Sequence, residues 1–319
     1  MERLDLDRLA RHSRRAFDLH VTTLADGGPV AVPVTVVTGS SARPRLSLIA
    51  GVHGDEAEGI MALSELAGEL EPERVRGQVL IVPVAHPRAF GAGQRASPLD
   101  GLDLNRVFPG EVGGRPTERL AHKLFADVVL GADFVLTLHS WYSTGTTLPF
   151  VEVSAADGAV AAAARRATVA CGFERIRRLH WPEGVLVRAA DERGIPSLEA
   201  EVGGMGTSTA ENRAYCRARI AALMQHLGML DGAPPANGAA ELFEGRHVLA
   251  PAGGMMRRRR GLGEEAREGD VLATIHDLHG APVAEVTSPW QGIVVAHRTF
   301  ASVGPGDNLF TIFSPIGRP

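Results

Sequence analysis

The chain has 319 residues, of which 45% are hydrophobic and 22% are charged, and its formal net charge is −4. This composition is typical of a globular protein that forms one large domain, or a large and a small one. The slightly acidic balance gives no electrostatic reason to bind nucleic acid or an anionic membrane, so neither partner is expected.

Cysteine usage and the N-terminal sequence indicate a cytoplasmic protein. Cys171 and Cys216 are the two cysteines, and both lie in helix-like segments. A disulfide framework and a cysteine metal cluster are therefore not expected. Residues 1–15 are rich in charges and lack the apolar core of a signal peptide, and no run of about 18 apolar residues occurs. We expect a cytoplasmic location and reduced thiols.

From residue 29 onward, strand-like and helix-like segments alternate. In chain order the pattern predicts strand 29–37, strand 45–52, helix 59–70, strand 77–84, helix 117–130, strand 133–140, strand 150–153, helix 160–171, strand 196–204 and helix 211–230. Prolines in the first strand suggest a sheet edge, whereas the apolar second strand suggests burial on both faces. The order predicts an α/β fold with a mixed, mostly parallel sheet covered by helices.

A linker rich in proline and glycine, residues 231–238, separates residues 1–232 from a tail at 240–319. The tail repeats itself, because the Gly-Asp pair at 269–270 recurs 37 residues later at 306–307 (306 − 269 = 37). Two copies of a short β unit predict a small barrel or sandwich in which each copy covers the apolar face of the other.

This repeat resembles the biotinyl/lipoyl barrel fold, whose carrier proteins need a lysine at a hairpin tip. Lys123 is the only lysine in the chain, so a swinging-arm carrier is excluded. The expected work of the tail is to cover the active-site cleft or to join subunits. The arginine run 257–260 is interpreted as a solvated hairpin, with a charged rim over the site as the alternative.

An imidazole and a carboxylate stand three residues apart at His53 and Glu56, directly after the second predicted strand. Such a pair can bind one metal ion, and zinc accepts both ligand types. The expected third ligand is His139, which ends another predicted strand, because ligands gather at the carboxyl ends of strands in open α/β sheets. Each histidine alone could be structural, but two strand-end positions favour a metal site.

Residues 85–109 are rich in Pro, Gly and Asp and show no periodicity. A loop this long in a compact domain is either disordered or functional. It contains one of four short motifs that occur in a fixed order along the chain: His53-x-x-Glu56, Asp103-Leu-Asn105-Arg106, His139-Ser140 and Glu201-Val-Gly203. In this order they resemble the succinylglutamate desuccinylase/aspartoacylase family of zinc carboxypeptidase-like hydrolases over roughly residues 28–230. The tail is similar to that of bacterial N-acetyl-diaminobutyrate deacetylase.

The resemblance implies a metal centre and a general base. His53, Glu56 and His139 would hold one zinc ion per chain, with a water in its open position. Glu201 matches the family's general base, and its competitor is Glu199, which lies on the same face of a strand. The family pattern sets the catalytic glutamate immediately before the small apolar residue and glycine, which favours Glu201.

The resemblance also implies contacts with the substrate. Asn105 and Arg106 match residues that grip the substrate carboxylate, and a planar guanidinium suits a carboxylate through two parallel hydrogen bonds. Arg95 resembles the arginine that helps to polarise the scissile carbonyl. A further anion-binding arginine is expected at Arg188 or Arg193, and the sequence leaves that choice open.

Together these observations predict a zinc-dependent amidohydrolase that cleaves the linear amide of an N-acyl amino acid or similar small carboxylate. Two alternatives remain: a zinc carboxypeptidase that acts on short peptides, and a metal-binding interaction protein without catalysis. A homo-oligomer is possible. The sequence specifies neither the acyl group nor the amine product.

Overall fold

The structure, a computed structural model, describes residues 5–235 and 240–318. Its strands are β1 Ser13–Thr23, β2 Pro29–Thr38, β3 Arg45–Ala50, β4 Gln78–Val82, β5 Phe134–His139, β6 Gly145–Ser154, β7 Arg175–Leu179, β8 Ser197–Gly204, β9 Glu241–Leu249, β10 Gly254–Arg258, β11 Glu265–Ala266, β12 Val271–His276, β13 Pro282–Thr287, β14 Gly292–Arg298, β15 Ser302–Val303 and β16 Asn308–Gly317. The α-helices are α1 Ala57–Glu69, α2 Pro87–Ala92, α3 Pro116–Leu124, α4 Ala159–Ala170, α5 Leu186–Asp191 and α6 Ala210–His226. Within the described ranges, no helix is long and apolar enough to cross a membrane.

One mixed sheet of twelve strands organises the fold, in the order β1-β2-β4-β3-β5-β8-β6-β7-β9-β16-β14-β11. Its centre is parallel, because β3 pairs with β4 and β5, and β5 pairs with β8. Every residue of β3 and β5 is buried, as expected for strands covered on both faces. The structure is therefore an α/β fold with a mixed sheet, as the alternation of elements predicted. The sheet was also predicted to be mostly parallel, and this holds only for its centre, because antiparallel pairs outnumber parallel ones over the described part of the whole sheet.

The edge of this sheet differs from the prediction. The edge strand is β1, which the sequence analysis did not identify, and β2 lies between β1 and β4. The prolines nevertheless occupy a half of β2 that is paired on one side only. Pro29 and Pro33 are opposite β1, whereas the pairing with β4 begins at Thr35. A missing proline N–H therefore costs no hydrogen bond to β4.

The tail forms two sheets that share one core. Strands β10, β12, β13 and β15 make a separate four-stranded sheet, while β9, β11, β14 and β16 belong to the large one. Leu272, Ile275, Val294 and Ile312, from both sheets, are fully buried in a common cluster. The two Gly-Asp pairs directly precede β12 and β16, so the repeated copies contribute one strand to each sheet.

The tail is also hydrogen-bonded to the first part of the chain. β9 runs parallel to β7, and β14 pairs with the beginning of β6. With the β6–β7, β9–β16 and β14–β16 pairings, these strands close a ring. The boundary predicted between residues 232 and 240 thus separates two segments of one continuous sheet. In the arginine run, Arg260 forms an ion pair with Asp270, and none of the four arginines lines the cavity described below.

Phe313 packs where the first part of the chain contacts the tail. Its substitution therefore tests whether the two parts unfold together. Its fully buried ring lies 5.0 Å from that of Phe150 in β6 and 5.4 Å from that of Phe243 in β9. Phe313→Ala should lower the free energy of unfolding by about 3–5 kcal/mol, because a core cavity replaces the ring. Denaturant unfolding should show one shifted transition. Phe300→Ala, at a position that is 58% exposed, is the control. If the tail unfolded in a separate transition, and only that transition shifted, the two parts of the chain would not unfold as one unit.

Candidate active site

A tight turn after β3 places the first two predicted metal ligands. Gly51 has a φ of +63°, and a Cβ there would meet the backbone of the next βα connection. At Gly54 a Cβ would come within 2.0 Å of the Ala89 backbone, so only glycine lets the turn pack against α2. His53 lies between these glycines, and Glu56 is the N-cap residue of α1.

The third predicted ligand comes from the neighbouring strand. β3 and β5 are parallel, with Ala50 opposite Leu138, and His139 is the last residue of β5. The turn after β3 and the end of β5 therefore meet at the carboxyl edge of the sheet, as the sequence predicted. The His53 and His139 ring centroids are 5.1 Å apart.

The Glu56 carboxylate lies between the two imidazoles. Its Oε1 is 2.7 Å from His53 Nδ1, and its Oε2 is 2.9 Å from His139 Nδ1. All three side chains are buried, and their candidate ligand atoms lie within 4.8 Å of one another. This group of two nitrogens and a carboxylate could hold a metal ion, and it is a donor set that zinc uses.

Electrostatics at this cluster favour positive charge. Burial opposes ionisation of His139, but Glu199 and then Glu56 raise the pKa of its imidazole to about 10. Burial likewise opposes ionisation of Glu56, yet His53 and His139 lower the pKa of that carboxyl well below its ordinary value. A cation held by these three side chains would supply the same compensation, so the residues present fit a metal ion.

One carboxylate lies on the far side of each imidazole. Asp103 Oδ1 is 3.1 Å from His53 Nε2, within hydrogen-bond distance, whereas Glu199 Oε2 lies 3.5 Å from His139 Nε2 and makes an ion-pair contact without a hydrogen bond. A carboxylate that is hydrogen-bonded to one ring nitrogen orients the imidazole so that the other nitrogen can face a metal. From the sequence, Asp103 had no assigned role and Glu199 was only a candidate base, because orientation depends on contacts that spacing does not reveal.

Glu201 and Glu199 project from β8 toward the same cluster but differ in their partners. Glu201 is opposite His139 in the strand register, and its Oε2 is buried with no hydrogen-bond partner among the described residues. Glu199 Oε2 accepts a hydrogen bond from Asn105 Nδ2 at 3.4 Å in addition to its approach to His139. Burial, and next the charge of Glu56, raise the pKa of Glu201 well above its ordinary value. Its free oxygen favours Glu201 over Glu199 as the proton acceptor.

Arg95 lies beside the candidate metal cluster, the position that the family resemblance implies for it. Its Nε donates to Asp103 Oδ2 at 3.0 Å, and its Nη1 is 3.4 Å from Glu56 Oε1. The guanidinium also lies over the Tyr142 ring, 5.1 Å from the centroid. Its side chain is 29% exposed, so a donor can still reach a molecule bound at the cluster.

Asn105 and Arg106 lie on a single helical turn at the cavity, but only one side chain is free. The Asn105 Oδ1 accepts from Leu186 N at 2.9 Å at the start of α5, and its Nδ2 donates to Glu199. The Asn105 amide therefore links the start of α5 to β8 through hydrogen bonds, and it also lines the cavity. Arg106 is exposed, and its Nη1 donates to the Asn105 carbonyl at 2.7 Å, which aims the guanidinium without neutralising it.

Neither candidate for a further arginine lines this cavity. Arg188 is bonded to Glu192 at 2.8 Å, and Arg193 lies over the Phe125 ring. Arg177 of β7 lines it instead and donates to Glu152 at 2.6 Å. Arg177 could not be predicted from the sequence, because β7 has three arginines in five residues and so lacks the apolar alternation of a strand.

The candidate metal ligands, both glutamates of β8, Asn105 and three arginines line one cavity of about 400 Å³, a size that suits a small molecule. Aromatic side chains from Trp141, Tyr142 and Trp181 form part of its wall. His247 of the tail also lines it. The cavity thus combines a candidate metal centre, an unpartnered carboxylate, three arginines and an aromatic wall.

Residues 42–227 match the family model described as the succinylglutamate desuccinylase/aspartoacylase catalytic domain. The chain belongs to this family. The resemblance seen in the four motifs is therefore confirmed. The match covers every site residue that the sequence analysis named in the first part of the chain, and the tail lies outside it.

Relatives of this desuccinylase/aspartoacylase family member span nearly its whole length. An N-alpha-acetyl-L-2,4-diaminobutyric acid deacetylase of Halomonas elongata is 32% identical over 302 residues, covering 89% of this chain and 86% of the relative. The product-bound structure of the ectoine utilization protein EutE from Ruegeria pomeroyi has a TM-score of 0.89 at 29% identity and 96% coverage of both chains. A succinylglutamate desuccinylase/aspartoacylase from Rhodobacter sphaeroides has a TM-score of 0.89 at 30% identity, covering 99% of this chain and 98% of its own.

Proposed function

We propose that this protein is a zinc-dependent amidohydrolase that removes the acyl group from an N-acyl amino acid. The observation that carries this proposal is the His53, Glu56 and His139 cluster in one cavity with the unpartnered oxygen of Glu201. Zinc bound by the cluster would lower the pKa of a water molecule and polarise an amide carbonyl.

The remaining residues have the chemistry that amide hydrolysis requires. Water adds its oxygen to the acyl carbon, the C–N bond breaks, and the amine leaves with a proton. Glu201, which neighbours His139, accepts the water proton and delivers it to the amine nitrogen. The guanidinium of Arg95 donates to the acyl oxygen as negative charge develops there.

Charged groups in the cavity suit a small carboxylate. The Arg106 guanidinium, which has no carboxylate partner among the described residues, can bind it. Glu152 and Glu199 lie directly opposite each other on β6 and β8, and the Arg177 guanidinium, 2.6 Å from Glu152, already supplies a cation to this pair. Because the Halomonas relative is named for a substrate with a second amino group, N-acetyl-2,4-diaminobutyrate is the first substrate to test.

The test is a panel of acyl amino acids assayed with zinc-loaded and chelator-treated protein. The panel should contain N-acetyl-2,4-diaminobutyrate, N-acetylaspartate, N-succinylglutamate, N-formyl amino acids and short unblocked peptides. We expect zinc-dependent release of a free amino acid from at least one acyl amino acid and none from the peptides. Release of C-terminal residues from peptides alone would establish the carboxypeptidase alternative, and no hydrolysis of any compound would favour the non-catalytic one.

Arg106→Lys should not behave as a conservative change. An ammonium cannot reproduce the two parallel hydrogen bonds that a guanidinium offers to a carboxylate. We expect kcat/KM for the best substrate to fall at least about tenfold, or roughly 1.4 kcal/mol. Arg188→Lys is the matched control, since that arginine lies outside the cavity. An unchanged kcat/KM in the Arg106 variant would remove this residue from the carboxylate site.

A further inference from the structure

His247 brings a side chain of the tail into the cavity at the metal cluster. It lies on β9, and its ring centroid is 6.1 Å from that of Trp141, two residues after the candidate ligand His139. The strand is fixed in this position by its parallel pairing with β7 and its antiparallel pairing with β16. The cavity is therefore incomplete without the tail.

Hydrogen bonds to His247 occupy one of its two ring nitrogens. Asn308 Nδ2 lies 3.1 Å from Nδ1, and the Thr311 hydroxyl lies 3.0 Å from the same nitrogen. Both groups can donate to Nδ1, so these contacts are compatible with the tautomer that carries the proton of the neutral imidazole on Nε2. Desolvation of the ring and then the nearby charge of Arg177 lower the pKa of His247 to about 4, so the ring stays neutral near pH 7.

Nε2 of His247 has no hydrogen-bonding partner in the described part of the chain, whereas Nδ1 is occupied. In the tautomer that carries its proton on Nε2, this nitrogen can donate to an oxygen at the cavity wall but cannot ligate a metal or accept a proton. The geometry points to His247 as a specificity-determining residue that donates a hydrogen bond from Nε2 to a carboxylate or carbonyl oxygen of the bound acyl amino acid. This inference rests on the proposed function, and it gives the tail a direct part in substrate selection.

The test compares three variants with the wild type on the best substrate of the panel. His247→Phe keeps a flat ring against Trp141 but removes the donor, and we expect about a tenfold loss in kcat/KM, carried by KM with kcat little changed. His247→Gln restores an N–H and should recover part of the loss. His279→Phe, at an exposed position on a tail hairpin, should match the wild type.

Zinc content and melting temperature are measured for each variant, because a structural role would change them and the inferred role would not. N-acyl amines that lack the α-carboxylate altogether separate the two possible acceptors: a carboxylate contact predicts that His247→Phe has no further effect on these compounds. Equal KM values for His247→Phe and wild type, or a loss confined to kcat or zinc content, would overturn the inference. A wild type inactive on every acyl amino acid would overturn the proposed function itself.

Discussion

Purified wild-type protein should carry about one zinc per chain, and His53→Ala and His139→Ala should each lose nearly all of it together with hydrolysis. Each substitution removes one of the three donors in the proposed zinc site and leaves the buried Glu56 carboxylate without one of its two imidazole partners. Metal content by mass spectrometry and activity with and without added zinc are the measurements. Activity should fall to the level of the zinc-free protein, because the remaining groups cannot polarise the amide alone.

His86→Asn is the matched control for the metal experiment. His86 is as buried as the candidate ligands and follows β4 at the same edge of the sheet, but its Nδ1 accepts from the Ala89 N–H and so caps α2. Asparagine can accept the same bond, so zinc content and folding should be preserved. If both His53→Ala and His139→Ala kept full zinc while the control also did, the metal site would have to lie elsewhere.

The first part of the fold could be predicted because its signals are local. Strands β3 and β5 are mostly apolar, and the candidate ligands His53, Glu56 and His139 follow or end them. Side chains at such positions converge wherever strands are parallel neighbours, whatever the order of the other strands. The candidate cluster could therefore be assembled before any tertiary contact was known.

The rest depends on pairings between distant segments. Arg177 reaches the cavity because β7 lies beside β6, and His247 reaches it because β9 lies beside β7. Neither strand contact has a signature within a short window of sequence. The hydrophobic repeat of the tail predicted two packed sheets but could not show that one of them continues the sheet of the first part. The role of Asn105 also depends on a distant partner, the N–H of Leu186.

The structure distinguishes the roles of Glu199 and Glu201, which the sequence alone could not do. Both glutamates of β8 face the cavity with period 2, so alternation alone leaves the choice open. Contacts with Asn105 and His139 commit Glu199 to holding other groups in place. We therefore expect Glu199→Gln to weaken zinc affinity or activity by about 10- to 100-fold, the usual effect of losing an orienting carboxylate.

Glu201→Gln should retain zinc and lose about 10² to 10⁴ in kcat, because the amide keeps the size of the carboxylate but cannot accept the water proton. KM should change little, since Glu201 is placed to act on the reaction and not to hold the substrate. The Oε2 of the wild-type residue, which has no hydrogen-bond partner among the described residues, gives the proton a direct acceptor. Metal content and steady-state kinetics of the two glutamine variants should be measured side by side. A larger loss in Glu199→Gln would mean that the base has been assigned to the wrong residue.

The pH dependence provides a second test of the same role. A general base works only when deprotonated, so the rate must fall as pH falls through the pKa of Glu201. Burial and the charge of Glu56 raise that pKa, which moves the acidic limb of the profile above the range of an ordinary carboxyl, while a bound cation opposes the shift. The residual activity of Glu201→Gln should lack this limb, whereas that of Glu199→Gln should retain it. A limb that survives unchanged in Glu201→Gln would assign the titration, and with it the proton acceptor, to another group.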